Sequence, residues 1–349
     1  PTFSGLSAGA QVIVVTDAAG CTETVTITLA DPAAVAATTT VVSNVSCNGL
    51  SDGSASASAT GGVGAYTYDW DNGETGATAT NLAVGTHTVT ATDANGCTVT
   101  QTVAITEPVA LSVATAVDQD VSCNGGIDGG ATATASDGTS GYTYVWSNGE
   151  TGASATALNV GQHSVTATDA NGCTAVTTVT ITEPAALTLS GVVTDVTCNG
   201  ALNGAINITV GGGTTAYTYA WTGTGVTAGA EDQTGLSGGT YSVVITDGEG
   251  CTISATYTID EATDVVLTGT GVDPTCNGGG DGSVTVSASG GVSLYSYTNN
   301  GGTAQSSPTF SGLSAGAQVI VVTDAAGCTE TVTITLADPA AVAATTTVV

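Results

Sequence analysis

Residues 86–106 read THTVTATDANGCTVTQTVAIT. Two runs alternate polar β-formers with apolar or small residues, and Asp93-Ala94-Asn95-Gly96 stands between them. Period-two alternation turns one face of each run inward, and Asp, Asn and Gly favour turns, so the stretch predicts an antiparallel hairpin. Outward from it the same signals recur. Residues 53–60 (GSASASAT) alternate small residues, and residues 65–70 (AYTYDW) place Tyr66, Tyr68 and Trp70 on one face. Asn72-Gly73 is a hairpin turn signal. Helix signals are nearly absent. Six or seven short strands in about 76 residues predict an all-β, immunoglobulin-like β-sandwich.

The unit repeats. Thr-Asp-x-x-Gly-Cys occurs at Asp17/Cys21, Asp93/Cys97, Asp169/Cys173, Asp247/Cys251 and Asp324/Cys328, at a nearly constant step. Cys-Asn-Gly opens at Cys47, Cys123, Cys198 and Cys276. Tyr-x-Tyr follows at Tyr66/Tyr68, Tyr142/Tyr144, Tyr217/Tyr219 and Tyr295/Tyr297. It runs on to Trp70, Trp146 and Trp221, but to Asn299 in the fourth copy. Residues 1–42 return letter for letter as 308–349. Such identity is expected of a window on a longer tandem array. The joints fall at Glu107-Pro108, Glu183-Pro184, Glu261-Ala262 and Asp338-Pro339. They predict complete sandwich domains at 33–108, 109–184, 185–262 and 263–339. Residues 1–32 would close a preceding repeat and 340–349 open a further one.

The chain has no Lys or Arg against 29 Asp and Glu. Salt bridges, Arg clamps and Lys Schiff bases are therefore out of reach, and nucleic-acid binding, which rests on Lys and Arg neutralising phosphates, is excluded. Attraction to an anionic membrane fails on the same ground, and no apolar run approaches a membrane-spanning length. A polyanion of this kind suits a saline medium, where screening shortens its self-repulsion to several ångströms. It also offers trypsin-type proteases no cleavage site.

A small sandwich with 4% aromatic residues has a thin core and calls for a staple. The cysteines fall into the sets Cys47/Cys97, Cys123/Cys173, Cys198/Cys251 and Cys276/Cys328, at near-equal spacings. One intradomain disulfide per repeat is the first expectation, and an oxidising, extracellular compartment follows from it. Pole geometry leaves an alternative. The first cysteine lies in the turn between the first two strands, the second in the final hairpin. In a six-strand meander these turns share a pole. In a seven-strand sandwich they lie at opposite poles, and pairing would run between neighbouring domains or chains.

Cys-Asn-Gly-x-x-Asp-Gly, Gly-x-Tyr-x-Tyr-x-Trp, Leu-x-x-Gly-x-His/Tyr-x-Val, Thr-Asp-x-x-Gly-Cys and Ile-Thr-Glu-Pro, in that order, resemble the SprB-type repeat of surface adhesins of gliding Bacteroidetes. The resemblance implies a giant protein exported by the type IX system, forming cell-surface filaments for adhesion, gliding or prey capture. It implies no catalytic residues. Two departures mark the chain: the missing tryptophan of the fourth repeat, and Asn203 where the other repeats have Asp.

Candidate sites are few. His87 and His163 share a repeat position with Tyr241 and Gln318, which predicts a structural strand position rather than a ligand. The Asp of Thr-Asp-x-x-Gly-Cys is expected to cap its turn, with calcium ligation as the alternative. Calcium needs six to eight oxygens. Asp69, Asp71 and Glu74 cluster in one repeat, but the next has Val145, Ser147 and Glu150 there. The joints are the better candidates for calcium: Glu107 with Asp118 and Asp120, Glu183, and Asp260, Glu261 and Asp264. No cofactor is required. Threonine rows (Thr24/Thr26/Thr28 and Thr178/Thr180/Thr182) resemble ice-binding arrays but read as exposed β-formers. Asn44 and Asn207 open glycosylation sequons. The tyrosines and tryptophans named above, alternating on one strand face, are expected in the core. The small residues of 53–60 fit either chain-on-chain contact or a loosely packed outer strand. The composite expectation is a structural, non-enzymatic segment of an extracellular filament whose partners are identical chains. An array of carbohydrate- or surface-binding modules is the alternative.

Overall fold

A computed structural model describes residues 1–346; residues 347–349, within the 340–349 segment expected to open a further repeat, lie outside the described residues. The chain is all-β, with no helix among the described residues. A hairpin of β1 (Gly9–Thr16) and β2 (Thr22–Leu29) comes first. Six strands follow between residues 36 and 105: β3 (Ala36–Ser43), β4 (Gly53–Thr60), β5 (Thr67–Trp70), β6 (Thr78–Leu82), β7 (Gly85–Thr92) and β8 (Thr98–Ile105). They form two antiparallel sheets, β3-β4-β6 and β5-β7-β8. The quoted hairpin is β7–β8, paired in register from Gly85↔Ile105 to Thr92↔Thr98.

The pattern recurs three times. The second set is β9 (Ser112–Gln119), β10 (Gly129–Ser136), β11 (Thr143–Trp146), β12 (Ser154–Leu158), β13 (Gly161–Thr168) and β14 (Thr174–Ile181). The third is β15 (Thr188–Thr194), β16 (Gly204–Gly211), β17 (Thr218–Thr222), β18 (Gln233–Leu236), β19 (Gly239–Thr246) and β20 (Thr252–Ile259). The fourth is β21 (Val266–Val272), β22 (Gly282–Ser289), β23 (Ser296–Asn299), β24 (Thr309–Leu313), β25 (Gly316–Thr323) and β26 (Thr329–Leu336). Each set makes the same two three-stranded sheets. Contacts divide the chain into two compact units, Pro1–Asp120 with Ile127–Thr182, and Val121–Gly126 with the chain from Glu183 onward.

Each sandwich buries the facing sides of its two sheets. In the first, Ala55, Ala57, Ala79 and Leu82 of one sheet meet Trp70, Val89, Val103 and Ile105 of the other. Along 66–70 the faces alternate, with Thr67 and Asp69 exposed, but of the three aromatics expected in the core only Trp70 is buried; Tyr66 and Tyr68 are half-buried at its edge. The same holds for Tyr142, Tyr144 and Trp146, and for Tyr217, Tyr219 and Trp221. The strand of 53–60 is not an outer strand. It is central in its sheet, with Ala55 and Ala57 beneath the tryptophan. Small side chains there admit the indole without overpacking.

The route of the chain decides which ends meet. After β5 the chain folds back on itself, with Asp69 bridging Thr75, before β6 begins. Equivalent bridges are Val145↔Thr151 and Tyr297↔Gln305. This short return adds a seventh pass to the six strands. The β3–β4 turn then lies at one pole and the β7–β8 turn at the other. An eight-residue strand spans about 26 Å, whereas a disulfide needs Cα atoms about 4.4–6.8 Å apart. Pairing within a repeat is thereby ruled out. Cys47–Cys97, Cys123–Cys173, Cys198–Cys251 and Cys276–Cys328 do not form.

Candidate functional site

The first cysteine turn is built as a clasp on the end of its own repeat. In Cys47-Asn48-Gly49, the Asn48 amide donates to the Pro108 carbonyl at 3.2 Å, and the Gly49 N–H donates to Glu107 Oε2 at 2.7 Å. Asn124 and Gly125 treat Pro184 and Glu183 in the same way, at 3.1 and 2.6 Å. Asn199 and Gly200 hold Ala262 and Glu261, and Asn277 and Gly278 hold Pro339 and Asp338. A second Asx carboxylate or amide oxygen closes the strand end. Asn44, Asp120, Asp195 and Asp273 accept the N–H groups of Thr106, Thr182, Asp260 and Ala337.

Inside the turn, Asp52 accepts the Ser46 N–H at 2.9 Å and the Ser46 hydroxyl at 2.5 Å. The Ser46 hydroxyl and amide hold its carboxyl below the usual carboxylate value. Asp281 does the same with Thr275. Asn203 keeps the geometry: its Oδ1 accepts the Thr197 N–H and its Nδ2 donates to the Thr197 hydroxyl. The Asp-to-Asn change in the third repeat therefore preserves the turn.

The second cysteine turn is organised by its aspartate. Asp93 Oδ1 accepts the N–H groups of Asn95 and Cys97, and Oδ2 accepts the Val63 N–H from the turn after β4. Asp169, Asp247 and Asp324 repeat the arrangement with Thr139, Thr214 and Val292. All four carboxyls are held below their usual value, first by that Oδ2 bond. The approach requires glycine opposite. Gly62 has φ +62°, and a Cβ there would lie 2.5 Å from Asp93 Oδ2. Gly138, Gly213 and Gly291 are its equivalents. This glycine was legible in the sequence only as one more turn residue.

The two kinds of turn meet through disulfides. Cys47 bonds Cys173, Cys123 bonds Cys251, and Cys198 bonds Cys328, across 126, 128 and 130 residues. The rule is uniform: the first cysteine of one repeat takes the second cysteine of the next. Cys21, Cys97 and Cys276 are free and exposed. Because 121–126 belongs to the second unit, each bond lies within a single unit. A small crevice flanks each bond, about 320 Å³ beside Cys47–Cys173. There Asn171 Nδ2 also donates to the Ser46 carbonyl at 3.1 Å.

Five of the carboxylates expected at calcium sites lie on amides and hydroxyls. Glu107, Glu183, Glu261 and Asp120 accept the backbone N–H groups above, and Asp118 Oδ2 accepts the Thr132 hydroxyl at 2.6 Å. Asp260 and Asp264 lie at the same joint as Glu261, on either side of it in the chain. Among the described residues no three His, Cys, Asp or Glu are placed to share a metal ion. Asp71 lies beside His87, at 3.0 Å, and Glu74 accepts the Thr80 N–H.

The histidine position is a strut. His87 Nε2 contacts the Ala83 carbonyl and His163 Nε2 the Asn159 carbonyl, both at 2.9 Å. Tyr241 and Gln318 donate to the carbonyls of Ser237 and Ser314 from the same place. Where the tryptophan is missing, Asn299 donates to Gln318 Oε1, so the residues that replace Trp and His in the fourth repeat bond each other.

The SprB repeat family matches four segments of the chain, residues 39–75, 115–151, 190–226 and 268–304. Each contains the Cys-Asn-Gly turn and the Tyr-x-Tyr strand, and each stops short of the second cysteine. No curated protein sequence matches. Among solved structures, the N-terminal eight Ig domains of Down syndrome cell adhesion molecule align at 10% identity and TM-score 0.32 over 95% of this chain. This chain spans 64% of that one. Invasin, a bacterial integrin-binding protein, aligns at 11% identity and TM-score 0.35 over 86% of this chain and 79% of its own. The protocadherin γB4 extracellular domain aligns at 13% identity and TM-score 0.29, over 95% and 77%.

Proposed function

We propose that the chain is a structural and adhesive stretch of an extracellular cell-surface filament, non-enzymatic, serving attachment, gliding or prey capture. The observation that carries this reading is the bonding rule of the cysteines. Every disulfide ties one repeat to the next rather than closing a repeat on itself. A module that acted alone would gain most from an internal staple. An array that must stay continuous gains from bonds across its joints. The bonds also suit an oxidising exterior. The matched SprB repeats support a surface protein of the type IX-secreted kind.

Identical chains are the proposed partners. With 29 carboxylates and no Lys or Arg, lateral contacts must rely on uncharged residues and on solvent cations. The exposed threonine rows supply the former. Calcium or magnesium would act as a screening atmosphere at the surface. The test is immunolabelling and imaging of native surface material, with and without chelator, at sea-like and at millimolar salt. Labelled filaments that loosen in chelator at low salt are expected. Recovery of the protein only as dispersed single chains would defeat the filament reading.

A carbohydrate-binding array is the second reading, on one observation. A crevice of about 600 Å³ lies along Tyr66, Thr67, Tyr68 and Asp69, opposite residues 75–77. Its tyrosines are half-buried and its tryptophan is enclosed, which leaves little aromatic platform for a sugar. Saturating glycan-array signal abolished by Tyr68→Ala would move this reading to first place.

A further inference from the structure

The three disulfide-closed intervals overlap: Cys47–Cys173, Cys123–Cys251 and Cys198–Cys328. Overlap changes what a pull on the chain can do. Consider the shortest covalent route from Cys47 to Cys328. It crosses the first bond, follows the backbone from Cys173 to Cys198, and crosses the third bond. All other residues between those two cysteines hang off this route as closed loops.

We propose that the chain is a covalent strap, in which tension runs through disulfides and short backbone bridges and bypasses the sandwiches. The interval from Cys47 to Cys328 holds about 280 residues, which as an unfolded thread would reach about 950 Å. With the bonds intact the same interval can reach only about 100 Å, namely the extended backbone from Cys173 to Cys198 plus two bonded Cα pairs of 5.6 Å each. Unfolding any sandwich releases almost no length. A strap of this kind cannot creep by serial unfolding, which is how an array of independent β-sandwiches would yield.

The second bond is the reserve. If Cys47–Cys173 is lost, the shortest route runs from Cys47 to Cys123, across to Cys251, back to Cys198 and across to Cys328. That route holds about 130 residues and reaches about 450 Å, still under half the free thread. Failure of one bond lengthens the strap without parting it. Intradomain pairing has neither property: its route would keep about 76 residues in the backbone and reach about 280 Å with its four bonds. The inference depends on connectivity alone and holds whatever surface the chain grips.

Single-molecule force spectroscopy of the full chain, held by non-cysteine handles at its ends, tests it. The fully stretched length is compared before and after reduction with a phosphine. An increase of about 850 Å on reduction is expected from these extended-chain lengths, with repeat-sized unfolding steps seen only in the reduced chain. An increase of about 670 Å would identify intradomain pairing and overturn the proposal, and so would equal lengths. The double variant Cys47→Ser with Cys173→Ser should be about 350 Å longer than the parent while oxidised, yet equal to it once reduced. Equal oxidised lengths would show that the first bond carries no load. Stretched length does not require a folded sandwich, so loss of folding in the variant leaves the comparison valid.

Discussion

Glu107 Oε2 accepts the Gly49 N–H at 2.7 Å, across 58 residues of sequence. The residue that closes a repeat thereby fixes the turn that presents its disulfide cysteine. Turn geometry, joint and cross-link are one assembly. Glu107→Ala should leave the Gly49 amide without a protein acceptor, a change of about 1 kcal/mol. Amide exchange at Gly49 should quicken roughly fivefold, in step with that energy, while exchange in β7 stays unchanged. Uniform quickening across the repeat would mean that Glu107 acts on the whole sandwich.

Trp70→Ala removes the largest side chain of the first core, 4% exposed and tied through Nε1 to the Gly76 carbonyl at 3.0 Å. A cost of about 3–5 kcal/mol is expected from lost contacts and cavity, read as a fall in the urea midpoint. Exchange of Asn299 for Trp in the fourth repeat should not stabilise it alone. Gln318 would lose one of its two amide donors and keep Asn300, and the pair with Gln318→His brings back the Trp and His of the first repeat.

Gly62→Ala meets three obstacles, the φ of +62°, Asp93 Oδ2 at 2.5 Å from the new Cβ and Val35 Cγ2 at 2.7 Å. The expected loss exceeds about 1 kcal/mol. Gly73→Ala, also left-handed but open to solvent, isolates the backbone part. If the two variants melt together, the close contacts with Asp93 and Val35 contribute nothing.

Asp93, Asp169, Asp247 and Asp324 have folded-state pKa values below the ordinary 3.8. Their stabilisation is therefore fully present above about pH 4 and is lost as pH falls through the depressed values. His87 has the opposite sign. Its partial burial opposes the charge, but the Ala83 carbonyl and Asp71 outweigh this and raise its value above 6.5. Its contribution is present below pH 6.5 and fades as pH rises through the raised value. Denaturation midpoints should thus fall steeply in acid and slightly on the alkaline side, and His87→Gln should remove only the second slope.

Non-reducing peptide mapping should return Cys47–Cys173, Cys123–Cys251 and Cys198–Cys328. Cleavage must use an Asp- or Glu-directed protease, because no Lys or Arg is present. Closing loops of this length is worth about 4–5 kcal/mol for the first bond in chain-entropy terms, less for each overlapping one. Reduction should lower the thermal midpoint accordingly. Recovery of Cys47–Cys97 would contradict the pole geometry.

Strands, turns and core alternation were legible because they are local. THTVTAT and CTVTQTVAIT state their inward faces by period two, and AYTYDW states which face its aromatics share, though only Trp70 is fully buried. The near-constant steps between Thr-Asp-x-x-Gly-Cys motifs state the repeat. The role of Asp in that turn was legible too, since an Asx oxygen reaches the amides two and four residues on in every copy. The joint carboxylates were not. Acidic residues close in sequence look alike whether they will meet a cation or an N–H. What separates Glu107 from a free carboxylate is Gly49, 58 residues away.

Residue pattern and composition were enough to specify an all-β chain of repeated small sandwiches, strongly acidic and in need of cross-links. Tertiary structure alone decided how the cysteines pair. The short segment from Asp69 to Thr75, like its counterparts, folds back and adds a pass to the chain. That reversal sends the two cysteine turns of each repeat to opposite poles, about one strand length apart. No bond of disulfide length can span that gap, so each cysteine reaches for the neighbouring repeat. Local patterning cannot register this, because the pole of a turn depends on the number of passes before it rather than on the residues within it.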